Sequence, residues 1–325
     1  MGVAWVPFWT AGPNSLSAHV YTDFIRNTIG VGGDIIGRED ETLEFIPGMS
    51  KFRIQDLPEG VVSGKLDSLF SQMLHLMGLT LPRASAVFIN SFEELDPVIN
   101  NHLNHSKFEQ FLNIGPLNLL SPADNNHECL SWLNTQKPES VAYVSFGPVM
   151  VPPRHELVAL AEALEASGVP FLWSLKNNSK SDLPNGFLER SRLNQNGLVV
   201  QWAPQLQVLA HGAVGVFITH CGWNSLLESV AAGGGVPLIC RPFFGDQRLN
   251  ARVVEDILEI GVKVDVGMFT KDELMSCLDL VLFQGKGKKM REKIKGLNEQ
   301  AKKAVGPKGS STKNLKTLLE LVTNN

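Results

Sequence analysis

The chain has few cysteines, no long apolar run and no excess of basic charge, and each shortage limits what the protein can be. Its four cysteines form no Cys-x-x-Cys pair and no metal-ligand spacing, so they predict reduced thiols in a cytoplasmic protein. No apolar run approaches the roughly 20 residues of a membrane span, and the opening MGVAWVPFWT lacks the basic stretch that begins a secretory signal. The net charge of −4 gives no support for a nucleic-acid partner.

A Gly-x-Gly-x-x-Gly run after an early strand is also lacking, which argues against a nicotinamide-dependent oxidoreductase. What the chain does contain is an ordinary globular composition, with 43% hydrophobic and 19% charged residues. Its 325 residues exceed the usual size of a single hydrophobic core. The length and composition therefore predict a globular protein of two domains.

The second half of the chain alternates short apolar runs with helical segments. The apolar runs that predict buried strands are 141–146, 170–175, 197–201, 213–219, 236–240 and 261–266. In HELVALAEALEAS, the residues Leu157, Leu160, Ala161 and Leu164 fall on one helical face. Continuous apolar strands separated by helices favour a parallel sheet covered on both faces. The pattern predicts an α/β, Rossmann-like domain that ends in helices over about 272–323.

The first half carries fewer recognisable elements. A strand at 2–9 leads into a helix over about 13–28, and a second strand at 86–90 is also followed by a helix. Residues 30–65 are rich in Gly, Pro and charge and predict a long excursion from the sheet. The Pro and Asn density of 115–128 is typical of a linker between domains.

The segment from Trp202 to Gln247 carries the clearest chemical pattern. A strand ending at Thr219 is followed by HCGWNS (220–225), whose small and polar residues open a helix. The first turn of a helix presents unpaired N–H groups and a partial positive charge, which suit a diphosphate. His220 stands at the carboxyl end of the strand, where open α/β sheets bind their ligands.

Other side chains in this segment suit the remaining parts of a nucleotide sugar. Glu228 follows Ser225 by three positions, so both project from one side of the helix, and a carboxylate there can accept hydrogen bonds from two ribose hydroxyls. Trp202 offers a flat surface on which a base can stack. Asp246 and Gln247 follow another strand and can bind sugar hydroxyls.

Each of these residues has a plainer explanation when it is taken alone. A Trp at a strand end usually belongs to the core, an Asn-Ser pair more often caps a helix, and a single His more often makes a structural hydrogen bond. The groups nevertheless follow one another in the order that uracil, diphosphate, ribose and hexose require. The complete set favours the binding of a UDP-sugar.

The order and spacing of this segment resemble the donor motif of plant family-one UDP-glycosyltransferases, and of flavonoid 3-O-glucosyltransferases in particular. Further matching segments are WTAGPNS, FIPGMSK, VFINSFEELD, CRPFFGDQRLN and AVGPKGSST. The resemblance implies a GT-B fold, an α/β architecture of two Rossmann-like domains whose parallel sheets face a cleft. It divides the chain into an incomplete N-terminal acceptor-binding domain, 1–118, and a C-terminal donor-binding domain, 119–325.

The resemblance also implies which residues bind the substrates. Trp202 would stack on uracil while the Ala203 backbone reads its edge, and Glu228 would bind ribose. The implied donor ligands are Trp202, Ala203, His220, Trp223, Asn224, Ser225, Glu228, Asp246, Gln247 and Thr10. A planar flavonoid acceptor would contact His19, Phe70 and Phe244, since aromatic walls suit a phenolic ring system.

The reaction implied is a single displacement that inverts the anomeric carbon, carried out in plant secondary metabolism by a monomer. It needs no cofactor or metal site, UDP-glucose being a co-substrate, and the chain has no Asp-x-Asp motif. In the family a His supported by an Asp deprotonates the acceptor, and the matching positions would fall before Met1. We therefore expect no catalytic residue among 1–325, unless His19 substitutes as the base.

Two departures from the family pattern bear on donor binding. The run AAGGG (231–235) makes the donor motif two residues longer than usual, which could shift Asp246 relative to Glu228. Pro148 stands where relatives carry a polar neighbour of the phosphates, and proline offers no N–H. Two hypotheses remain: a flavonoid glucosyltransferase, or a non-catalytic UDP-sugar-binding protein.

Overall fold

The computed structural model describes residues 4–120, 127–264 and 267–323, which form two compact units. Unit 1 comprises Met1–Leu120, Phe244–Arg252 and Glu299–Asn325, and unit 2 comprises Ser121–Phe243 and Val253–Asn298. The α-helices are α1 Pro13–Val20, α2 Thr22–Ile29, α3 Leu69–Thr80, α4 Pro97–Ser106, α5 Glu128–Leu133, α6 Arg154–Ser167, α7 Phe187–Leu193, α8 Gln205–Ala210, α9 Trp223–Ala231, α10 Gln247–Arg252, α11 Lys271–Phe283, α12 Gly285–Ala304 and α13 Ser310–Thr323. Within the described ranges, none of these helices is long and apolar enough to cross a membrane.

Unit 1 contains a parallel sheet of three strands in the order β1-β2-β3. The strands are β1 Phe8–Trp9, β2 Val87–Ile89 and β3 Phe111–Asn113. The expected strands at 2–9 and 86–90 therefore exist in shorter form, although residues 2–3 lie outside the described part of the chain. The sequence pattern does not predict β3 or α3. A strand of three residues and a helix with apolar residues on most sides show no clear hydrophobic periodicity.

The segment 30–65 leaves the sheet, as its composition predicts. It contains the 3-10 helices Gly32–Ile35 and Ile54–Asp56 and an isolated antiparallel bridge between Thr42 and Arg53. Its apolar residues are nevertheless fully buried, among them Leu43, Ile46 and Phe52. A long excursion of this kind stays ordered because it has a small core of its own.

The helix α13 packs against unit 1, although it is the last element of the chain. Leu318 is buried in a cluster with Ala86, Leu112 and Ile114. The Ser311 hydroxyl donates to the Gly115 carbonyl at 2.6 Å. The sequence expectation of one contiguous domain over 119–325 differs from this arrangement, because long-range packing brings the C-terminal helix to the N-terminal sheet.

Unit 2 contains a parallel sheet of six strands in the order β6-β5-β4-β7-β8-β9. The strands are β4 Val141–Ser145, β5 Phe171–Ser174, β6 Gly197–Val200, β7 Val214–Thr219, β8 Leu238–Cys240 and β9 Gly261–Lys263. All six predicted strands are present, and residues 265–266 of the last prediction lie outside the described ranges. The predicted α/β class with parallel sheets is confirmed.

The connectivity of this sheet reverses between β4 and β7. The chain moves outward from β4 to β6, then returns to β7 beside β4 and moves outward the other way. The loops that follow β4 and β7 lie at the carboxyl edge where the strand order reverses, which is where doubly wound sheets bind ligands. The predicted apolar face of α6 is buried as expected and covers the sheet.

Candidate nucleotide-sugar site

His220 follows β7 directly and lies at the point where the strand order reverses. Two glycine backbones border its imidazole. A Cβ added at Gly222 would lie 2.5 Å from His220 Nε2, and one at Gly147 would lie 3.0 Å from Cε1. Gly147 also has a φ of +72°, which favours glycine. The loops after β4 and β7 thus pack closely against the imidazole.

The surroundings of His220 keep its ring neutral at physiological pH. Burial lowers the pKa of His220 to about 4, because the charged imidazolium would lose its hydration. Its Nδ1 is buried and has no hydrogen-bond partner among the residues that the structure describes. Buried polar atoms are normally paired, so an unpaired nitrogen at the point where the strand order reverses is a candidate ligand-binding atom.

The helix α9 begins immediately after this loop. Gly222 is its N-cap in an extended conformation and, as a glycine, has no side chain that could cap the first turn. Trp223 is buried against the core, whereas Asn224 is exposed and Ser225 is 7% exposed. Trp223 therefore anchors the helix, and its first turn offers N–H groups together with the Asn224 and Ser225 side chains to an anion.

A hydrogen-bonded group joins α8 to α9 one turn further along. Gln205 Nε2 donates to Glu228 Oε2 at 2.5 Å and to Ser225 Oγ at 3.1 Å. The Tyr143 hydroxyl donates to Gln205 Oε1 at 3.2 Å. The structure thus brings together Ser225 and Glu228, as their spacing predicts, and adds Gln205, which the sequence analysis missed. The position of Gln205, three residues after Trp202 within the donor segment, is the sequence feature that could have identified it.

Trp202 lies between β6 and α8, and its indole is 63% exposed. It meets the His127 ring edge-on, with 5.5 Å between ring centroids and an angle of 70°. Exposure removes the plainer explanation that Trp202 is a core residue. Ala203, in contrast, is buried, so its position is fixed by packing while the neighbouring indole faces solvent.

Asp246 and Gln247 belong to unit 1, unlike the other predicted donor ligands of the C-terminal half. Asp246 Oδ2 accepts a hydrogen bond from Asn250 Nδ2 at 2.9 Å, and burial raises the pKa of its carboxyl group. Gln247 begins α10 and accepts a hydrogen bond from the Phe244 N–H at 3.3 Å. The loop that carries both polar side chains is thereby fixed to the start of α10.

The predicted acceptor residues and Thr10 also lie in unit 1. Thr10 is exposed, and the aromatic rings of Phe70 and Phe244 are 65% and 43% exposed. His19 is buried and meets the Trp9 ring edge-on at 5.6 Å, and burial lowers its pKa to about 4. A histidine with so low a pKa is neutral at pH 7 but a weak base, which counts against its use in deprotonating an acceptor.

A histidine–carboxylate pair does occur elsewhere in unit 1. His75 Nε2 lies 2.6 Å from Asp23 Oδ1, and His75 Nδ1 lies 3.5 Å from Arg26 Nη1. Donation to the carboxylate and acceptance from the guanidinium occupy both ring nitrogens. This pair links α2 to α3, so it has a structural role in unit 1.

The extra residues of the AAGGG run lie away from His220. They form the turn between the end of α9 and the start of β8, at the amino edge of the sheet. Asn298 Nδ2 donates to the Val230 and Ala231 carbonyls there, at 2.8 and 2.9 Å. The turn is anchored at the opposite edge from His220, and β7 and β8 pair in parallel beside it, Phe217 with Leu238 and Thr219 with Cys240.

The cysteines of the site are closer than their sequence separation suggests. Cys221 Sγ lies 2.8 Å from Cys240 Sγ; both residues are fully buried, and neither forms a disulfide bond. Across the described residues, no group of three His, Cys, Asp or Glu side chains is arranged to hold a metal ion.

The chain matches the family model described as UDP-glucoronosyl and UDP-glucosyl transferase over residues 22–299. It is 64% identical to an anthocyanidin 3-O-glucosyltransferase of Vitis vinifera over 326 residues, which cover 99% of this chain and 70% of the relative. It is 57% identical to a flavonol 3-O-glucosyltransferase of Arabidopsis thaliana over 329 residues, or 100% of this chain and 70% of the relative.

Solved structures give the same result. A crystal structure of a UDP-glucose:anthocyanidin 3-O-glucosyltransferase in complex with UDP superimposes with a TM-score of 0.90 at 44% identity. The match covers 99% of this chain and 71% of that one.

Proposed function

Since the chain belongs to the UDP-glucuronosyl and UDP-glucosyl transferase family and has its GT-B fold, we propose that it transfers glucose from UDP-glucose to a flavonoid hydroxyl, at the 3-O position, with inversion. The observation that carries this proposal is the group formed by His220, the first turn of α9, and the Gln205–Glu228 pair at the reversal of the six-stranded sheet. Together these groups offer what a diphosphate and a ribose need.

The nucleotide half of the donor is assigned to unit 2. The exposed Trp202 indole stacks on uracil, and the buried Ala203 backbone reads the edge of the base. Glu228 accepts hydrogen bonds from the ribose hydroxyls. The α9 N–H groups, Asn224 and Ser225 hold the phosphates, with Trp223 anchoring the helix below them.

The reacting groups are assigned mainly to unit 1. Asp246 and Gln247 bind the glucose hydroxyls with a contribution from Thr10, and His19, Phe70 and Phe244 contact the acceptor. The acceptor oxygen attacks the anomeric carbon while the bond between the anomeric carbon and the UDP oxygen breaks. Negative charge therefore develops on the diphosphate. The positive end of α9 and a His220 N–H stabilise that charge, and the reaction requires no cofactor. The acceptor proton goes to a general base, a role the family assigns to a His–Asp pair.

The setting of the reaction is likewise a proposal. Four cysteines without a disulfide bond suit a reducing compartment, which supports a cytoplasmic protein. A monomer suffices, since each assigned residue comes from one chain. The substrate class places the activity in plant secondary metabolism.

Product formation tests the proposal directly. Purified protein is incubated with UDP-glucose and either a flavonol or an anthocyanidin, and the products are identified by mass spectrometry beside an active relative of full length. A parallel reaction with UDP-galactose tests whether glucose is the donor sugar. A 3-O-glucoside is the expected product.

A second candidate function is a UDP-sugar-binding protein without transfer activity. It is favoured by the low pKa of His19 and by the occupied nitrogens of His75. Calorimetric binding of UDP without any glucoside would select this alternative, and the absence of both would contradict the two proposals together.

A further inference from the structure

Tyr143 is one of two tyrosines in the chain, and it lies in the middle of the central strand β4. Its side chain is 1% exposed, and its ring stacks on Phe217 of β7 at 5.1 Å with an angle of 18°. A buried aromatic pair of this kind would serve the core equally well as two phenylalanines. The hydroxyl therefore calls for a separate explanation, because burying it costs free energy unless it is hydrogen bonded.

That hydroxyl has Ser145 and Gln205 as hydrogen-bond partners, and its bond to Gln205 contributes to the orientation of the amide. It donates to Gln205 Oε1 at 3.2 Å, so the oxygen end of the amide faces the core. The nitrogen end then faces α9, where its two N–H groups donate to Glu228 Oε2 and Ser225 Oγ. A reversed amide would bring its oxygen against the Glu228 carboxylate, which is an acceptor only.

The two acceptors of the Gln205 amide are the side chains assigned to the ribose and to the phosphates. Holding Oε2 of Glu228 limits the rotation of the carboxylate and thereby aims it. Accepting from Gln205 leaves the Ser225 hydroxyl hydrogen to be donated elsewhere, as a phosphate oxygen requires. One amide thus orients a carboxylate that accepts from the nucleotide and a hydroxyl that donates to it.

We propose that Tyr143 is a positioning residue for nucleotide recognition, acting through Gln205 to pre-orient Glu228 and Ser225. The inference rests on the proposed function, because it takes UDP as the ligand. Tyr143 itself touches no part of the nucleotide. Its effect is on binding affinity and on selectivity for the ribose, since a pre-oriented site loses less freedom when the ligand binds.

The test compares UDP with 2′-deoxy-UDP by titration calorimetry. Tyr143→Phe keeps the stacked ring and removes the hydroxyl, and we expect roughly three- to tenfold weaker UDP binding, the effect of one buried hydrogen bond. The loss of affinity should be smaller for 2′-deoxy-UDP, because this ligand makes one contact fewer with Glu228. The ratio of the affinity for UDP to the affinity for 2′-deoxy-UDP should therefore decrease in the variant. Tyr21→Phe is the matched control: it removes a hydroxyl bonded to His102 in unit 1 and should leave both affinities unchanged.

A double-mutant cycle separates positioning from general stability. Gln205→Met removes the amide at similar volume, and in that background Tyr143→Phe should add no further loss of UDP affinity. Additive losses, or equal losses for UDP and 2′-deoxy-UDP, would overturn the proposal. If the unmodified protein binds no UDP, both the proposed function and this inference are wrong. If it binds UDP and Tyr143→Phe leaves the affinities unchanged, only the inference is wrong.

Discussion

At the scale of single residues, the packing of His220 between two glycine backbones is the feature most sensitive to change. The imidazole has no room to move toward Gly222, where an added Cβ would lie 2.5 Å from Nε2. That distance is well below a normal contact, so the ring or the start of α9 must shift. Either movement separates a proposed phosphate ligand from the N–H groups of the helix.

We expect Gly222→Ala to weaken UDP binding about tenfold or more, the effect of losing a hydrogen bond to a charged group. Gly212→Ala is the matched control, because a Cβ there meets nothing within 4 Å and the residue precedes β7 at the other edge of the sheet. Calorimetry with UDP measures both variants. Equal affinities in a folded Gly222→Ala variant would show that His220 does not contribute to the site.

The lowered pKa of His220 links the stability of unit 2 to pH. The folded state holds this pKa at about 4, against 6.5 in an unfolded chain, so the unfolded state binds more protons between these values. The contribution of His220 to the free energy of unfolding is therefore fully present above pH 6.5, and it is lost as the pH falls toward 4. We expect a loss of about 1 to 3 kcal/mol between pH 7 and pH 4.5.

Other groups titrate in the same range, so the measurement must be a difference between variants. Burial raises the pKa of Asp96 in unit 1 to about 6. The contribution of Asp96 to the free energy of unfolding changes with pH in the opposite direction, because it decreases as the pH rises through 6. Urea unfolding at pH 7 and 4.5 should show a smaller decrease in stability for His220→Asn than for the unmodified protein. Replacement of the exposed His155 by Asn should leave the decrease unchanged, and an identical decrease in all three proteins would refute the assignment.

At the scale of elements, the turn between α9 and β8 lies at the edge of the sheet opposite His220. Gly234 approaches the Leu209 carbonyl so closely that a Cβ would lie 2.1 Å from the oxygen. The turn is held by Asn298 on the side away from His220. Disturbing it should therefore affect stability and not nucleotide binding.

Two glycine substitutions separate these effects. Gly234→Ala should lower the free energy of unfolding by about 1 to 3 kcal/mol, because the clash is with backbone. Gly296→Ala, on the exposed side of α12 with nothing within 4 Å, should raise it by roughly 0.5 to 1 kcal/mol through helix propensity. Both folded variants should bind UDP as the unmodified protein does. A change in UDP affinity for Gly234→Ala would mean that the turn communicates with the site.

At the scale of the whole molecule, the chain is divided by packing and not by position in the sequence. The last helix, α13, buries Leu318 in the cluster that covers the N-terminal sheet. Its neighbour Leu319 is 53% exposed on the same helix. These adjacent leucines provide a matched pair for testing which unit the helix stabilises.

Leu318→Asp should destabilise unit 1 by about 2 to 4 kcal/mol, since it removes a buried leucine and places a charge in its site. Leu319→Asp should have little effect because its side chain already faces solvent. Hydrogen exchange should show faster exchange over residues 84–115 in the first variant, with 141–264 protected as before. Loss of protection in both regions would indicate that the two units unfold together.

The sequence by itself determined the elements whose residues repeat locally. The apolar runs predict all six strands of unit 2, and Leu157, Leu160 and Leu164 identify the buried face of α6. The spacing of Ser225 and Glu228 predicts that they meet, and a common hydrogen-bond partner confirms it. Local periodicity is sufficient for these predictions because each depends on neighbours within a few residues.

Only the tertiary structure decided which distant residues act together. Tyr143 and Gln205 are 62 positions apart, and Ser311 and Gly115 are 196 apart, so no local pattern connects them. The exposure of Trp202 and the neutral state of His220 likewise depend on how the loops pack around them. Burial and hydrogen-bond partners come from the whole packed chain, and they are what give the side chains of the donor segment their orientation and charge.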